Sequence, residues 1–133
     1  MVRLSFLSRQ PRGLGTMQVG FLNFYGAVLN VGQQRADLIA NNVANADTPG
    51  YKAVDISFDS ALASELGDKN SGPGTDPQYR QDGVVGLNGN DVSLDSERVE
   101  AAQNGQQMEA ASVFLRQATS ELVTALRPNP SGI

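Results

Sequence analysis

From Leu22 onward, apolar and small residues recur at Leu22, Tyr25, Leu29, Gly32, Ala36, Ile39 and Val43. Their steps alternate between three and four, which is the seam of a coiled coil, and they predict a first helix over residues 17–46. Gly20, Gly26 and Gly32 fall inside it, and each weakens a helix by ~1 kcal/mol relative to Ala. Such a helix needs a partner surface, and Gly32 and Ala36 would let a partner backbone approach closely. A second seam runs through Leu94, Ala101, Met108, Ala111, Leu115, Ala118, Leu122 and Ala125, with Glu97 and Asn104 as polar interruptions. It predicts a second helix over 93–127, with Ser93 as N-cap and Asp95 and Glu97 near the positive end of the dipole. Arg127 falls in its last turn and Pro128 stops it. The expected fold is therefore mainly α. Two long terminal helices pair as an antiparallel coiled coil along Leu22, Leu29, Ile39 and Val43 on one side and Met108, Leu115 and Leu122 on the other.

Between and around the helices the pattern changes. Residues 1–16 read as a flexible basic tail with Arg3, Arg9 and Arg12 and no acid, and Met17 offers an alternative start. In the middle segment, 47–92, Thr48-Pro49-Gly50 suits a type II turn with Gly50 at the position of positive φ. Val54, Ile56 and Phe58 then alternate with Asp55, Ser57 and Asp59, which predicts a strand. Ser60 to Leu66 suggests a short helix capped by Asp59 or Ser60. Residues 67–90, rich in Gly, Asp, Asn and Pro, read as a flexible excursion or one ordered only by a partner. Val84, Val85 and Leu87 offer a brief strand inside it. Residues 128–133 form a closing tail.

Composition narrows the chemistry. The 133 residues fit one domain and include no Trp, Cys or His. Disulfides, thiolate nucleophiles and the commonest general base and metal ligand are thereby removed. A net charge of −4 argues against nucleic acid as a partner. The most apolar run, Val19 to Val31, is broken by Asn23 and Asn30 and falls short of the ~20 residues of a membrane span. Ser8, Arg9, Gln10 and Pro11 interrupt the apolar stretch that a secretory signal would need. Asp55, Asp59, Glu65 and Asp68 could be imagined as an acid–base pair, but a solvated polar face is the better reading. Gly83, Gly86 and Gly89 lack the Lys and Ser/Thr of a phosphate loop and read as loop glycines.

Residues 40–52 read Ala-Asn-Asn-Val-Ala-Asn-Ala-Asp-Thr-Pro-Gly-Tyr-Lys. Asn41, Asn42 and Asn45 lie along neighbouring faces of a helix end, where Asn competes for backbone hydrogen bonds. They either cap the helix before an ordinary turn or form a polar latch that fixes register between subunits. Together with Thr48, Pro49, Gly50, Tyr51 and Lys52, this stretch resembles the N-terminal signature of flagellar rod, hook and hook-associated proteins. Ala53-Val54-Asp55-Ile56-Ser57-Phe58, and Asn90-Asp91-Val92-Ser93-Leu94-Asp95 before an Ala-rich helix, look most like the proximal-rod branch. The resemblance spans about residues 17–127 in outline. The tail before Met17 is longer than the family suggests, and Gly26 and Gly32 make the first helix softer.

The resemblance implies a structural subunit of the proximal rod of the basal body, whose terminal helices pack into a tubular axis that transmits motor torque. Asn41, Asn42, Asn45, Thr48, Pro49, Gly50, Tyr51 and Lys52 would then form the assembly signature. Partners would be copies of itself, other rod subunits, and adaptor and export-gate proteins at the rod base. No catalysis, cofactor, metal, nucleic acid or small-molecule substrate is implied. The location would be the rod crossing the periplasm, reached without a cleaved signal, with the basic N-terminus engaged by the export apparatus. A small helical adaptor or export chaperone is the alternative, although it has no evident use for the signature or the central excursion.

Overall fold

A computed structural model describes residues 12–67, 76–80 and 84–128, with residues 12–18 described by backbone alone. Five elements follow in order: α1 (Arg12–Ala44), β1 (Val54–Asp55), α2 (Phe58–Glu65), β2 (Gln78–Tyr79) and α3 (Leu94–Leu126). The two long helices have 33 residues each, or ~50 Å at 1.5 Å per residue. They run antiparallel: Tyr25 stacks on Phe114, Gly32 lies under Met108, and Asn42 meets Glu97. The fold is the expected mainly helical pair with a short extended middle.

Gly32 shows why the pair closes where it does. A Cβ at this position would stand 2.5 Å from Cγ of Met108, so only glycine admits that side chain without a shift. Beside this contact α2 packs onto α1 through Val31, Ile56 and Ala61, flanked by Leu38, Phe58 and Leu62. Ser93 caps α3, its Oγ accepting from the Ser96 N–H at 3.4 Å. Arg127 is the C-cap rather than part of the last turn, with φ −69° and ψ 129°, the extended conformation forced on a residue before proline.

Several expectations are corrected. Helix α1 begins at Arg12, so residues 12–16 are helical rather than tail. Residues 1–11, 68–75, 81–83 and 129–133, which hold most of both expected tails, Asp68, Gly83 and part of the expected excursion, lie outside the described residues. The strand at 54–58 stops at Asp55, because Phe58, Ala61 and Leu62 also fit a helical face and open α2 instead. Ser57, not Asp59 or Ser60, stands at the cap position, without a side-chain cap bond. Val84, Val85 and Leu87 form no strand. β2 pairs antiparallel with β1, Val54 opposite Tyr79 and Asp55 opposite Gln78.

The seam also differs from its sequence pattern. Ile39 is buried, Leu22, Leu29, Met108, Leu115 and Leu122 are half-buried, and Val43 is 46% exposed. The helix is rotated so that Asn42, not Val43, faces α3. On α3 the buried positions are Glu97, Asn104 and Ala111, a strict spacing of seven. The two expected interruptions are therefore, with Ala111, the most buried positions of the seam, while Leu94 is 45% exposed.

Candidate assembly site

Asn42 ends the buried face of α1 at 1% exposure, and a buried amide must find partners for both its oxygen and its nitrogen. Its Nδ2 donates to the Val54 carbonyl at 2.8 Å, and its Oδ1 accepts from the Val54 N–H at 3.0 Å. The side chain thus imitates a neighbouring strand and closes one edge of β1. Tyr51 Oη donates to the same Oδ1 at 3.1 Å, and Asn42 Nδ2 also reaches Glu97 Oε2 at 3.3 Å. One side chain joins the end of α1, the turn, β1 and α3.

The turn itself follows from Pro49 and Gly50. Tyr51 N–H donates to the Thr48 carbonyl at 3.2 Å, and Gly50 takes φ +73°, the geometry that glycine at the third position of a type II turn permits. Asn45 caps the helix end locally: its Nδ2 donates to the Asn41 carbonyl at 2.8 Å, and its Oδ1 accepts from Thr48 Oγ1 at 3.2 Å. A second loop staples the turn in place. Asn90 Nδ2 donates to the carbonyls of Asn45 and Thr48 at 2.8 and 2.7 Å. Asp91 Oδ1 accepts from the Ala53 N–H at 2.6 Å, and the Asn88 carbonyl accepts from Gly50 at 2.9 Å.

Behind the turn lies a charged cluster that is mostly buried. Arg35 grips Asp55 through two nitrogens, Nε at 3.0 Å and Nη2 at 2.8 Å, and also pairs with Glu100. Arg80 reaches Glu97 at 2.6 Å and Glu100 at 2.9 Å, and its backbone N–H donates to the Ala53 carbonyl at 2.9 Å. Two guanidiniums therefore sit among three carboxylates, and Glu97 is only 1% exposed. The hydrogen bonds that Arg35 donates to Asp55, with the charges of Asp55 and Glu100, raise the Arg35 pKa still further. Burial raises that of Tyr51, assisted by the charges of Glu97 and Asp91. Asp55 is thus part of an internal ion-pair network and not of a solvated face, whereas Asp59 and Glu65 are exposed.

The other end of the helix pair is built differently. The first buried residue of α1 is Ala27 and the last of α3 is Ala111, among the described residues. Beyond them Tyr25 stacks on Phe114 with ring centroids 5.5 Å apart. Val19, Phe21, Phe24, Val113, Phe114, Val123 and Leu126 are exposed by 39–74%. Gly20 and Gly26 face open space within 4 Å. So many exposed apolar residues on two adjoining helices mark an interaction surface.

Of the signature residues, Asn42 is buried and Tyr51 and Asn45 are half-buried, the Asn45 side chain bonding only within the helix end and turn, while Asn41, Thr48, Pro49, Gly50 and Lys52 remain exposed. Sequence reasoning missed Arg35, Arg80 and Glu97 as a network. It noted Asn90 and Asp91 only as part of a resembling stretch, although two polar residues before a helix cap were a usable signal.

A helical hairpin with a hydrogen-bonded clamp at one end and many exposed apolar residues at the other has the build of an assembly subunit. Comparison with known proteins gives the family. The profile described as "Flagella basal body rod protein" matches residues 29–52, the end of α1 and the signature turn. The flagellar basal body rod protein FlgB of Salmonella typhimurium is 36% identical over 104 residues, covering 62% of this chain and 75% of that protein. FlgB of Escherichia coli is 34% identical over 107 residues, covering 65% and 78%. FlgB of Buchnera aphidicola is 28% identical over 129 residues, covering 79% and 92%. The chain belongs to the FlgB family of flagellar basal body rod proteins and is a structural subunit of that rod.

Proposed function

We propose that this rod subunit occupies the proximal part of the rod, where it polymerises with copies of itself and other axial subunits and carries motor torque. The carrying observation is the division of the hairpin. Among the described residues the clamp satisfies its buried side-chain polar atoms except Asn104 Oδ1, whereas the open half leaves apolar surface on both helices for a neighbour to cover. Exposed Asn41, Thr48, Pro49 and Lys52, held in place by buried Asn42 and half-buried Asn45 and Tyr51, supply the register contacts of the signature. The seam residues Leu22, Leu29, Ile39, Val43, Met108, Leu115 and Leu122 divide accordingly: Ile39 serves the internal pair, and exposed Val43 serves neighbours. The role is structural and not catalytic, needing no cofactor.

Export without a cleaved signal, passage of the rod through the periplasm, and contact with adaptor and export-gate proteins at the base complete the reading, supported by membership of the family. Deleting the gene should abolish flagellar assembly, and the product should copurify with basal bodies at its full, uncleaved mass. Motile deletants, or basal bodies lacking the product, would contradict the proposal.

A further inference from the structure

The loop that staples the signature turn carries an apolar tip for which the fold has no use. Val84 is 89% exposed, Val85 54%, and Leu87 111%, more than in a free reference chain. Yet the loop is pinned. Gly89 N–H donates to the Gly86 carbonyl at 2.9 Å, so Leu87 occupies the second position of a tight turn. Gly86 N–H donates to the Asn90 carbonyl at 2.7 Å, and Asn88 holds Gly50. Gly89 takes φ +79°, and a Cβ there would stand 3.4 Å from Gly50 Cα, so the loop lies directly on the signature turn. Leucine is thus displayed on a fixed support.

At the open end, Gly20, Phe21, Phe24 and Tyr25 line an apolar groove of about 380 Å³. Gly20 leaves its floor free, since a Cβ there would meet nothing within 4 Å. Phe24 lies twenty residues before Ala44, the end of α1 beside the turn. At 1.5 Å per residue the groove is ~30 Å from the loop, beyond reach of the same chain's Leu87. No residue of 84–89 or 20–25 carries a charge, so joining the two surfaces desolvates none.

We propose that Leu87, with Val84 and Val85, docks in the Gly20–Tyr25 groove of a second copy of this chain. The contact joins unlike patches from different ends of the hairpin. Such heterologous contacts extend into a helical array when the rotation does not close. The inference rests on the reading of the chain as a polymerising rod subunit and assigns one of its interfaces.

The chain has no cysteine, so Leu87→Cys and Phe24→Cys introduced together provide the only two thiols. With this variant as the sole copy in cells, oxidised basal bodies should yield a ladder of covalent oligomers, and neither single variant should. Incorporation is scored separately. A double variant that enters the rod without a ladder, or links to a different rod protein, overturns the docking and leaves the rod assignment intact. So does Leu87→Cys alone forming dimers. Sedimentation of the purified full chain gives an independent reading. Wild type and Leu87→Met should self-associate, and Leu87→Asp should do so roughly tenfold more weakly or worse, with unchanged circular dichroism. A monomeric wild type, or a Leu87→Asp variant that associates equally well, overturns the proposal.

Discussion

The two halves of the hairpin keep α1 beside α3 by different means. From Ala27 to the signature turn, α1 is held by small buried side chains, by Asn42 bonded both to β1 and to Glu97, and by Arg35 paired with Glu100, while Arg80 ties Glu97 and Glu100 to the end of β2. Before Ala27 and beyond Ala111, the contact is chiefly aromatic stacking, with large apolar residues facing outward. Directional bonds have one correct geometry, so the clamp specifies a unique fold. Apolar surface is non-directional and exchanges partners readily, so the open half is suited to neighbours. The stability of the isolated chain is thereby concentrated in one stretch of the two helices, and the exposed apolar surface in the other.

Substitutions can break this division, and the clamp offers the largest effect on the isolated chain. Arg80→Ala leaves buried Glu97 without its cation and should destabilise by about 3–5 kcal/mol. Arg80→Lys keeps the charge but loses the fork that reaches both glutamates, and should fall between. Urea denaturation measures both. Gly50→Val places a β-branched residue at positive φ and should cost about 1–3 kcal/mol. Because Asn88 and Asn90 bind this turn, a folded fraction of the variant should still assemble poorly. Pro49→Ala, compatible with the same turn, should be milder in both respects.

An open-half change should give the opposite pattern. Val123→Asp, at a position 48% exposed, should shift stability by about 0.5 kcal/mol or less. The same variant should be absent from purified basal bodies, because its charge would lie in an apolar interface. The smallest effect concerns pH. The Tyr51 pKa is raised in the folded chain, so the unfolded phenol ionises first, near its ordinary value of about 10. This contribution is fully present below that pH and is lost as pH climbs through the folded value. Tyr51→Phe should therefore show a shallower alkaline loss of stability than wild type.

Much of this architecture was legible in the sequence, and the illegible parts share a cause. Three–four spacing located both helices, Gly32 marked a close approach, and Pro49-Gly50 specified a turn, because each signal is local. The clamp is not local. Glu97 and Asn104 interrupt an apolar seam when read alone, and only Arg80 and the Gly32 carbonyl, brought from elsewhere in the chain, make them suitable seam residues. Gln78 and Tyr79, next to Asp76 and Pro77, carry no strand pattern, and β2 exists because β1 offers it an edge. Asn42 differed from Asn41 and Asn45 only in its angle on the helix, which depends on where α3 lies. Val43 was misplaced for the same reason.

Hydrogen exchange on the isolated full-length chain, resolved along α1 and α3, tests the division most directly. Amides of residues 27–44 and 94–111 should exchange slowly and together, as one cooperative unit, and those of 112–126 should exchange rapidly. On assembly into the rod, the open half should become protected. Uniform protection along both helices of the free chain, or slower exchange in the open half than in the clamp, would contradict the account.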